Sequence, residues 1–258
     1  MENTVIAFAN QKGGVAKTTT VAELGELLSR EFGKKVLMID MDPQSSLTAI
    51  KSDLVEITQS KEPTMTNVML REAPIKDTII PLKKNLWIAP ATLQLSDAEL
   101  SLVQATLREL VLRDALQALA DDPDLKFDYI LIDCPPSRGL LTVNALSAAD
   151  YVVIPVQAEF QALLGRQLVK NTIHQVQSAI NKNLKVYGYI VTMTQHTLQS
   201  GEAYQVLEDD PVSILAEVPR SVKVADAGLN KKSTYEYDHK NAAGLAYLAL
   251  AEKITKEI

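Results

Sequence analysis

The sequence predicts an α/β fold: one doubly wound domain with a mostly parallel sheet and helices on both faces. Three observations predict it. Short apolar runs alternate with longer helical patterns along the chain. The runs are continuously apolar rather than alternating, as strands covered on both faces require. Three of the runs lead into glycine or aspartate, the residue types that build a ligand edge where parallel strands end.

The elements follow in chain order. Val5-Ile6-Ala7-Phe8-Ala9 is the first run, followed by Gly13-Gly14 and a helical stretch from about Lys17 to Phe32. Val36-Leu37-Met38-Ile39 ends in Asp40. Residues 51 to 85 are the least regular part and are expected to form a surface excursion. Leu86-Trp87-Ile88-Ala89 is the third run. Ser96-Asp97, with Glu99 three residues after Ser96, then forms a capping box. It is expected to open one long helix carrying Leu100, Val103, Leu107, Leu110 and Val111 at helical spacing. Tyr129-Ile130-Leu131-Ile132 ends in Asp133, and Tyr151-Val152-Val153-Ile154 ends at Pro155. A helix of roughly Leu163 to Ala179 precedes a last run from Val186 to Thr192. No repeat, low-complexity tract or Pro/Gly/Ser-rich linker interrupts the pattern, so residues 1–258 read as one domain.

Composition narrows the function. The 258 residues are 47% hydrophobic and 22% charged, which supplies a sizeable core and excludes a disordered chain. With 26 Lys and Arg against 32 Asp and Glu, the net charge is −6, so any contact with nucleic acid must come from a local patch. The one cysteine, Cys134, excludes an intrachain disulfide and an all-cysteine metal site; its place at a strand end suits a packed small residue. Met1-Glu2-Asn3-Thr4 shows no basic n-region and no long apolar h-region follows, so a signal peptide is not expected. No run approaches the roughly 18 apolar residues of a membrane span. The expectation is a cytoplasmic protein. His174 and His239 lack metal-site spacing and read as surface or packed residues.

The chemistry concentrates at three strand ends. Lys12-Gly13-Gly14-Val15-Ala16-Lys17-Thr18-Thr19 lies between a strand and a helix. Gly13 and Gly14 let the backbone bend so that successive N–H groups converge on an anion, and the helix N-terminus adds its positive end. Lys17 would reach the β- and γ-phosphates of a nucleotide, and the Thr18 hydroxyl would ligate Mg²⁺. The ordinary G-x-x-x-x-G-K-[ST] string is not met, because Gln11 and Ala16 occupy its glycine positions; the form present is K-G-G-x-x-K-[ST]. Asp40-Met41-Asp42-Pro43-Gln44 places two carboxylates at i and i+2, suited to orienting water and holding Mg²⁺ through water. Alone it reads more readily as a polar turn. Tyr129 to Asp133 is an apolar strand ending in a carboxylate, the Walker B arrangement.

With these motifs in hand, the chain resembles the ParA/MinD group of deviant Walker ATPases, and most of all the small ParA-type partition ATPases. The resemblance runs end to end. It is carried by Asp42-Pro43-Gln44, Leu112-Arg113-Asp114-Ala115-Leu116, Ile132-Asp133-Cys134-Pro135-Pro136-Ser137, Asn144-Ala145-Leu146, Ala149-Asp150, Ile154-Pro155-Val156-Gln157, Val191-Thr192-Met193 and Val218-Pro219-Arg220-Ser221-Val222-Lys223.

The resemblance implies an ATP- and Mg²⁺-dependent sandwich dimer that hydrolyses ATP. In it Lys12 reaches the partner's phosphates, Asp40 helps position the attacking water, Asp133 is the Walker B carboxylate, and Pro219 lies near the adenine. It also implies non-specific DNA binding in the ATP state, nucleoid association, and a ParB-like cargo adaptor that stimulates hydrolysis. The cargo would be a plasmid, a chromosome or a protein organelle such as a carboxysome. Of two basic positions usual for DNA, one carries His196, a departure, and the other Lys223, a match. Between Arg220 and Lys240 there are five basic residues (Arg220, Lys223, Lys231, Lys232 and Lys240) against Asp226, Glu236 and Asp238, so a local patch is available. With the loop beginning at residue 12, an N-terminal helix-turn-helix domain is not expected.

Three rivals share the nucleotide motif. A MinD-like membrane ATPase would end in a basic amphipathic helix. Here Tyr247, Leu250, Ile254 and Ile258 share a face while Glu252, Glu257, Lys253 and Lys256 mix their signs, which suits a helix docked on its own domain. A nitrogenase-reductase-like ATPase needs more than one cysteine. A metabolic P-loop enzyme would lack the Pro219-to-Lys223 string.

Overall fold

Alternate residues of the central strands enter two different cores, which is why their sequences are apolar without interruption. In the strand Tyr129–Asp133, Ile130 and Ile132 belong to one buried cluster, with Leu112, Leu146 and Val152. Tyr129 and Leu131 belong to the other, with Phe8, Leu24, Met38 and Tyr247. Each fully buried Leu or Ile contributes roughly 1.5–3 kcal/mol. Period-two side chains on a sheet covered by helices produce this division.

The computed structural model describes residues 3–122, 125–157, 160–194 and 204–258. The strands are β1 (Thr4–Phe8), β2 (Val36–Asp40), β3 (Ile80–Lys83), β4 (Leu86–Ala89), β5 (Tyr129–Asp133), β6 (Tyr151–Gln157), β7 (Lys185–Thr194) and β8 (Ile214–Pro219). The helices are α1 (Lys17–Arg30), α2 (Ser46–Lys51), α3 (Leu54–Gln59), α4 (Met65–Met69), α5 (Leu95–Leu102), α6 (Val111–Ala120), α7 (Leu140–Ala148), α8 (Phe160–Ala179), α9 (Val222–Leu229), α10 (Thr234–Tyr237) and α11 (Ala242–Glu257). The sheet order is β3-β4-β2-β5-β1-β6-β7-β8. Every described pairing is parallel except β3 with β4. The chain leaves β1 toward β2 but leaves β5 toward β6, so a crevice opens where β1 and β5 end. The register places Phe8 and Asp40 both opposite Asp133, which brings the motif-bearing strand ends level.

Three expectations need correction. Residues 51–85 are more than an excursion. They form α3, α4, a 3₁₀ turn (Ile75–Thr78) and the edge strand β3, and they bury Met65, Val68, Met69 and Ile75. Helices of five or six residues are too short to display a helical period. The expected long helix from Ser96 is two helices, with a turn between them in which Leu107 adopts a left-handed φ of 53°. Ser96 caps nothing; its hydroxyl donates back to the Leu93 carbonyl, while the Glu99 carboxylate accepts the Leu141 N–H at 3.2 Å. Leu100, Val103 and Leu107 keep helical spacing yet are more than half exposed. Finally, β8 forms a sheet edge that the apolar-run pattern does not pick out.

The C-terminal pattern holds. Tyr247, Leu250 and Ile254 of α11 are buried, and α11 packs on α1 and β8. Among the described residues no helix is long and apolar enough to cross a membrane.

Candidate active site

The loop from Asn10 to Ala16 joins β1 to α1, and neighbouring side chains fix its backbone. The Asn10 amide donates to the Pro155 carbonyl at 2.7 Å, and its oxygen accepts the Lys12 N–H at 3.0 Å. The Thr192 hydroxyl lies 3.1 Å from the Val15 carbonyl, and the Gln157 amide donates to the Gly14 carbonyl at 3.2 Å. Gln11 is tied to Thr172 on α8 and accepts Arg138 Nε at 2.8 Å. The loop is therefore organised by the ends of β6 and β7 before any ligand arrives. Gly14 has φ +74°, which glycine adopts freely. Ala16 has φ 63°, a left-handed conformation that costs an alanine on the order of 1 kcal/mol. A Cβ added at Gly13 or Gly14 would meet nothing within 4 Å, so both face open space of the kind a phosphate chain fills.

Lys17 begins α1, is 7% exposed, and its Nζ donates to the Lys12 carbonyl at 3.3 Å. Burial lowers its pKa, opposed by the nearby Asp133. Asp133 is fully buried, and neither carboxylate oxygen has a hydrogen-bond partner. The Thr18 hydroxyl is near enough to favour its charge without completing a bond of good geometry. Burial, reinforced by Asp40, raises its pKa well above the usual carboxylate range. An orphaned buried carboxylate beside a threonine hydroxyl and the half-buried Asp42 is an all-oxygen donor set, and it fits Mg²⁺.

Asp40 is also fully buried but well partnered. Its Oδ1 accepts the Asp42 N–H at 3.1 Å; its Oδ2 accepts the N–H and hydroxyl of Thr48 at 2.9 and 2.7 Å. Thr48 in turn accepts the Ala91 N–H at 3.0 Å, which anchors α2 to the end of β4. Burial outweighs these bonds and pushes the Asp40 pKa up to about 6.

A mainly apolar cavity of about 660 Å³ opens beside Ala16 and Thr19. Met193, Pro219, Ser221, Val224 and Leu229 line it, so Pro219 lies on a mainly apolar wall. Arg220, Lys231 and Lys232 line the same cavity. Lys223 packs instead over the Tyr237 ring, 5.4 Å from its centroid, with Asp226 at 3.9 Å. Lys232 lies 3.5 Å from Glu236, and Lys240 is exposed. The five basic residues thus lie in α9 and the turns flanking α9 and α10, at the rim of the cavity, and Arg220, Lys231 and Lys232 line it. His196 lies outside the described residues. His174 is exposed, and His239 makes an edge contact with Tyr235.

Beneath the cavity is a buried ionic floor. Glu26 and Lys51 pair at 3.0 Å with side chains each 2% exposed, and Lys83 reaches the same carboxylate at 3.0 Å. Lys83 also donates to the Lys231 carbonyl at 2.7 Å, and Glu23 accepts the N–H and hydroxyl of Thr234. The sequence motifs give no role to Asn10, Thr48, Gln157 or Thr192, although Gln157 and Thr192 stand in strings that carry the family resemblance. For Gln157 and Thr192 a signal was present: each is a polar residue closing an apolar run, as Asp40 and Asp133 are.

Comparisons with known proteins identify the family. Residues 3–186 match the family described as AAA domain. Residues 127–258 match 4Fe-4S iron sulfur cluster binding proteins of the NifH/frxC family. The chain does not fit such a cluster: its single cysteine, Cys134, is wholly buried, and burial pushes its thiol pKa up, away from the ligating thiolate. The sporulation initiation inhibitor protein Soj of Bacillus subtilis is 39% identical over 97% of each chain. The chromosome partitioning protein ParA of Caulobacter vibrioides is 40% identical over 97% of this chain and 93% of its own. The chromosome-partitioning ATPase Soj of Treponema pallidum is 36% identical over 96% of each.

Among solved structures, cobyrinic acid a,c-diamide synthase from Mycobacterium smegmatis with bound ADP and magnesium superposes with a TM-score of 0.82. It is 34% identical, over 98% of this chain and 94% of its own. An ATP complex of Cyanothece McdA reaches 0.88 at 23% identity, over 98% and 97%, a likeness of fold alone. A glycine loop closed by Lys17, two buried aspartates level with it, and identity near 40% along almost the whole chain lead to one conclusion: the chain belongs to the ParA/Soj family of partition ATPases.

Proposed function

We propose that this ATPase binds ATP and Mg²⁺ at residues 13–19, pairs with a second copy in the ATP state, and holds DNA without sequence preference until hydrolysis releases it. A cargo adaptor, ParB-like or equivalent, stimulates that hydrolysis, and repeated cycles position or segregate a plasmid, a chromosome or a protein organelle. The observation that carries the reading is the orphaned Asp133 carboxylate, level with Asp40 and beside Lys17 and Thr18, at the mouth of a loop with open space over Gly13 and Gly14.

Each residue has a part. The loop N–H groups and Lys17 hold the phosphates. Thr18, Asp133 and, through water, Asp42 hold Mg²⁺, which when bound neutralises charge building on the phosphoryl oxygens. Asp40 Oδ1 accepts a single N–H and keeps a lone pair to orient the attacking water. Pro219 and the apolar cavity receive the base. Lys12 serves the partner's phosphates, a contact worth roughly 10³ to 10⁵ in rate for comparable fingers. Arg220, Lys223, Lys231, Lys232 and Lys240 supply the cations for DNA phosphates, with a salt-dependent and base-blind affinity. The docked α11 favours this reading over membrane attachment.

The test is retention on non-specific DNA with ADP, with ATP and with no nucleotide, across a salt series. Retention with ATP alone, falling with salt, is expected. Binding in no nucleotide state would remove DNA from the cycle and make liposome retention the next measurement.

A further inference from the structure

Lys12 is stowed on its own subunit, and Gln157 holds it there. Gln157 is the last residue of β6, beside Thr192 of β7 in the register. Its Oε1 accepts Lys12 Nζ at 3.0 Å, while its Nε2 donates to the Gly14 carbonyl at 3.2 Å and lies 3.6 Å from Met193 Sδ. A lysine ammonium only donates and a carbonyl only accepts, so the amide has one orientation that satisfies both. The Lys12 backbone is fixed as well, its N–H on Asn10 and its carbonyl under Lys17 Nζ. A single side chain therefore joins the lysine to the loop that will hold this subunit's own nucleotide.

A lysine that serves the partner's nucleotide must leave this contact. We infer that Gln157 is a positioning residue: it keeps the Lys12 ammonium in cis in the nucleotide-free chain and thereby sets the protein concentration at which two ATP-loaded chains pair. This rests on the reading that Lys12 acts across the dimer. Gln157 touches no reacting atom; it acts by competing with the partner's phosphates for one ammonium.

Two substitutions push the competition in opposite directions. Gln157→Glu offers the ammonium a full negative charge and strengthens the stowed state, because ionic hydrogen bonds are roughly twice as strong as neutral ones. Gln157→Ala removes this acceptor. The first measurement is the rate at which Lys12 is acetylated by an amine-reactive ester in the nucleotide-free protein, read by mass spectrometry with Lys240 as internal standard. The second is the pairing Kd by sedimentation, with a saturating non-hydrolysable ATP analogue so that changed nucleotide affinity does not enter. Thermal melts check that both variants fold, and Gln157→Asn, an amide one methylene too short to reach, serves as the second release variant.

Gln157→Ala and Gln157→Asn are expected to speed Lys12 labelling and tighten pairing, each severalfold. Gln157→Glu should slow labelling and weaken pairing by about tenfold. A merely structural role would move all three variants the same way. Unchanged labelling, or pairing shifts of one sign, overturns the inference. Lys12→Ala separates the two ideas. If that variant pairs and hydrolyses like the parent, the trans role itself is wrong and the gating falls with it. If it fails to pair while the Gln157 variants shift together, only the gating is wrong.

Discussion

The charges beneath the cavity and those around its rim are held in opposite ways. On the floor, Glu26 and Lys51 meet at 3.0 Å with side chains 2% exposed. On the rim, Lys223 and Asp226 sit 3.9 Å apart with side chains 43% and 45% exposed. The floor contact is fixed by its surroundings, and its loss would strand a charge out of water. The rim contact is screened and exchanges readily with solvent. A nucleotide switch needs both kinds: groups whose geometry is set before the ligand arrives, and groups free to re-pair when a partner appears.

The largest effect should come from the phosphate edge, where Asp40 is wholly buried and bonded to Thr48 and Asp42. Asp40→Ala should slow hydrolysis by on the order of 10² to 10⁴ while ATP-dependent pairing persists. Phosphate release alongside sedimentation measures both; normal turnover would take Asp40 out of the chemistry. Glu26→Ala should come next, lowering stability by about 3–5 kcal/mol, because Lys51 and Lys83 lose their shared carboxylate. Urea denaturation reads this directly, and a loss under about 1 kcal/mol would put the floor in the same class as the rim. Lys223→Ala should change stability least, by under about 1 kcal/mol. Its signature is a slope of log K against log salt reduced by about 0.9, one phosphate contact, equally on any DNA sequence. An unaltered slope would place the DNA contact on other residues.

Much of the phosphate edge was legible in the sequence, because its parts are local. Lys12 to Thr19 is one string, and Asp40 and Asp133 each close an apolar run, so finding the strands finds the residues. What brings them level is register, and that needs the structure. The supports were harder to see. Thr48 reaches Asp40 from a six-residue helix, and Gln157 reaches Gly14 across 143 positions. The helix from Ser96 misled for a related reason. Leu100, Val103 and Leu107 repeat at helical spacing, but periodicity says only that residues share a face, not that the face is inward. Nothing in the string around Leu107 announces its left-handed backbone.

The contact between α11 and α1 bears on how the protein is made. Thr20, three residues past Lys17, lies 3.3 Å from the Tyr247 hydroxyl, 227 positions further on. At cellular synthesis rates the two emerge from the ribosome on the order of tens of seconds apart. For that interval α1 can pack on β2, β4 and β5 but lacks the part of its cover that α11 supplies. A nascent or interrupted chain therefore carries the glycine loop ahead of a helix that is backed on one side only. Full packing of the helix that begins at Lys17 thus waits for the last residues to be made.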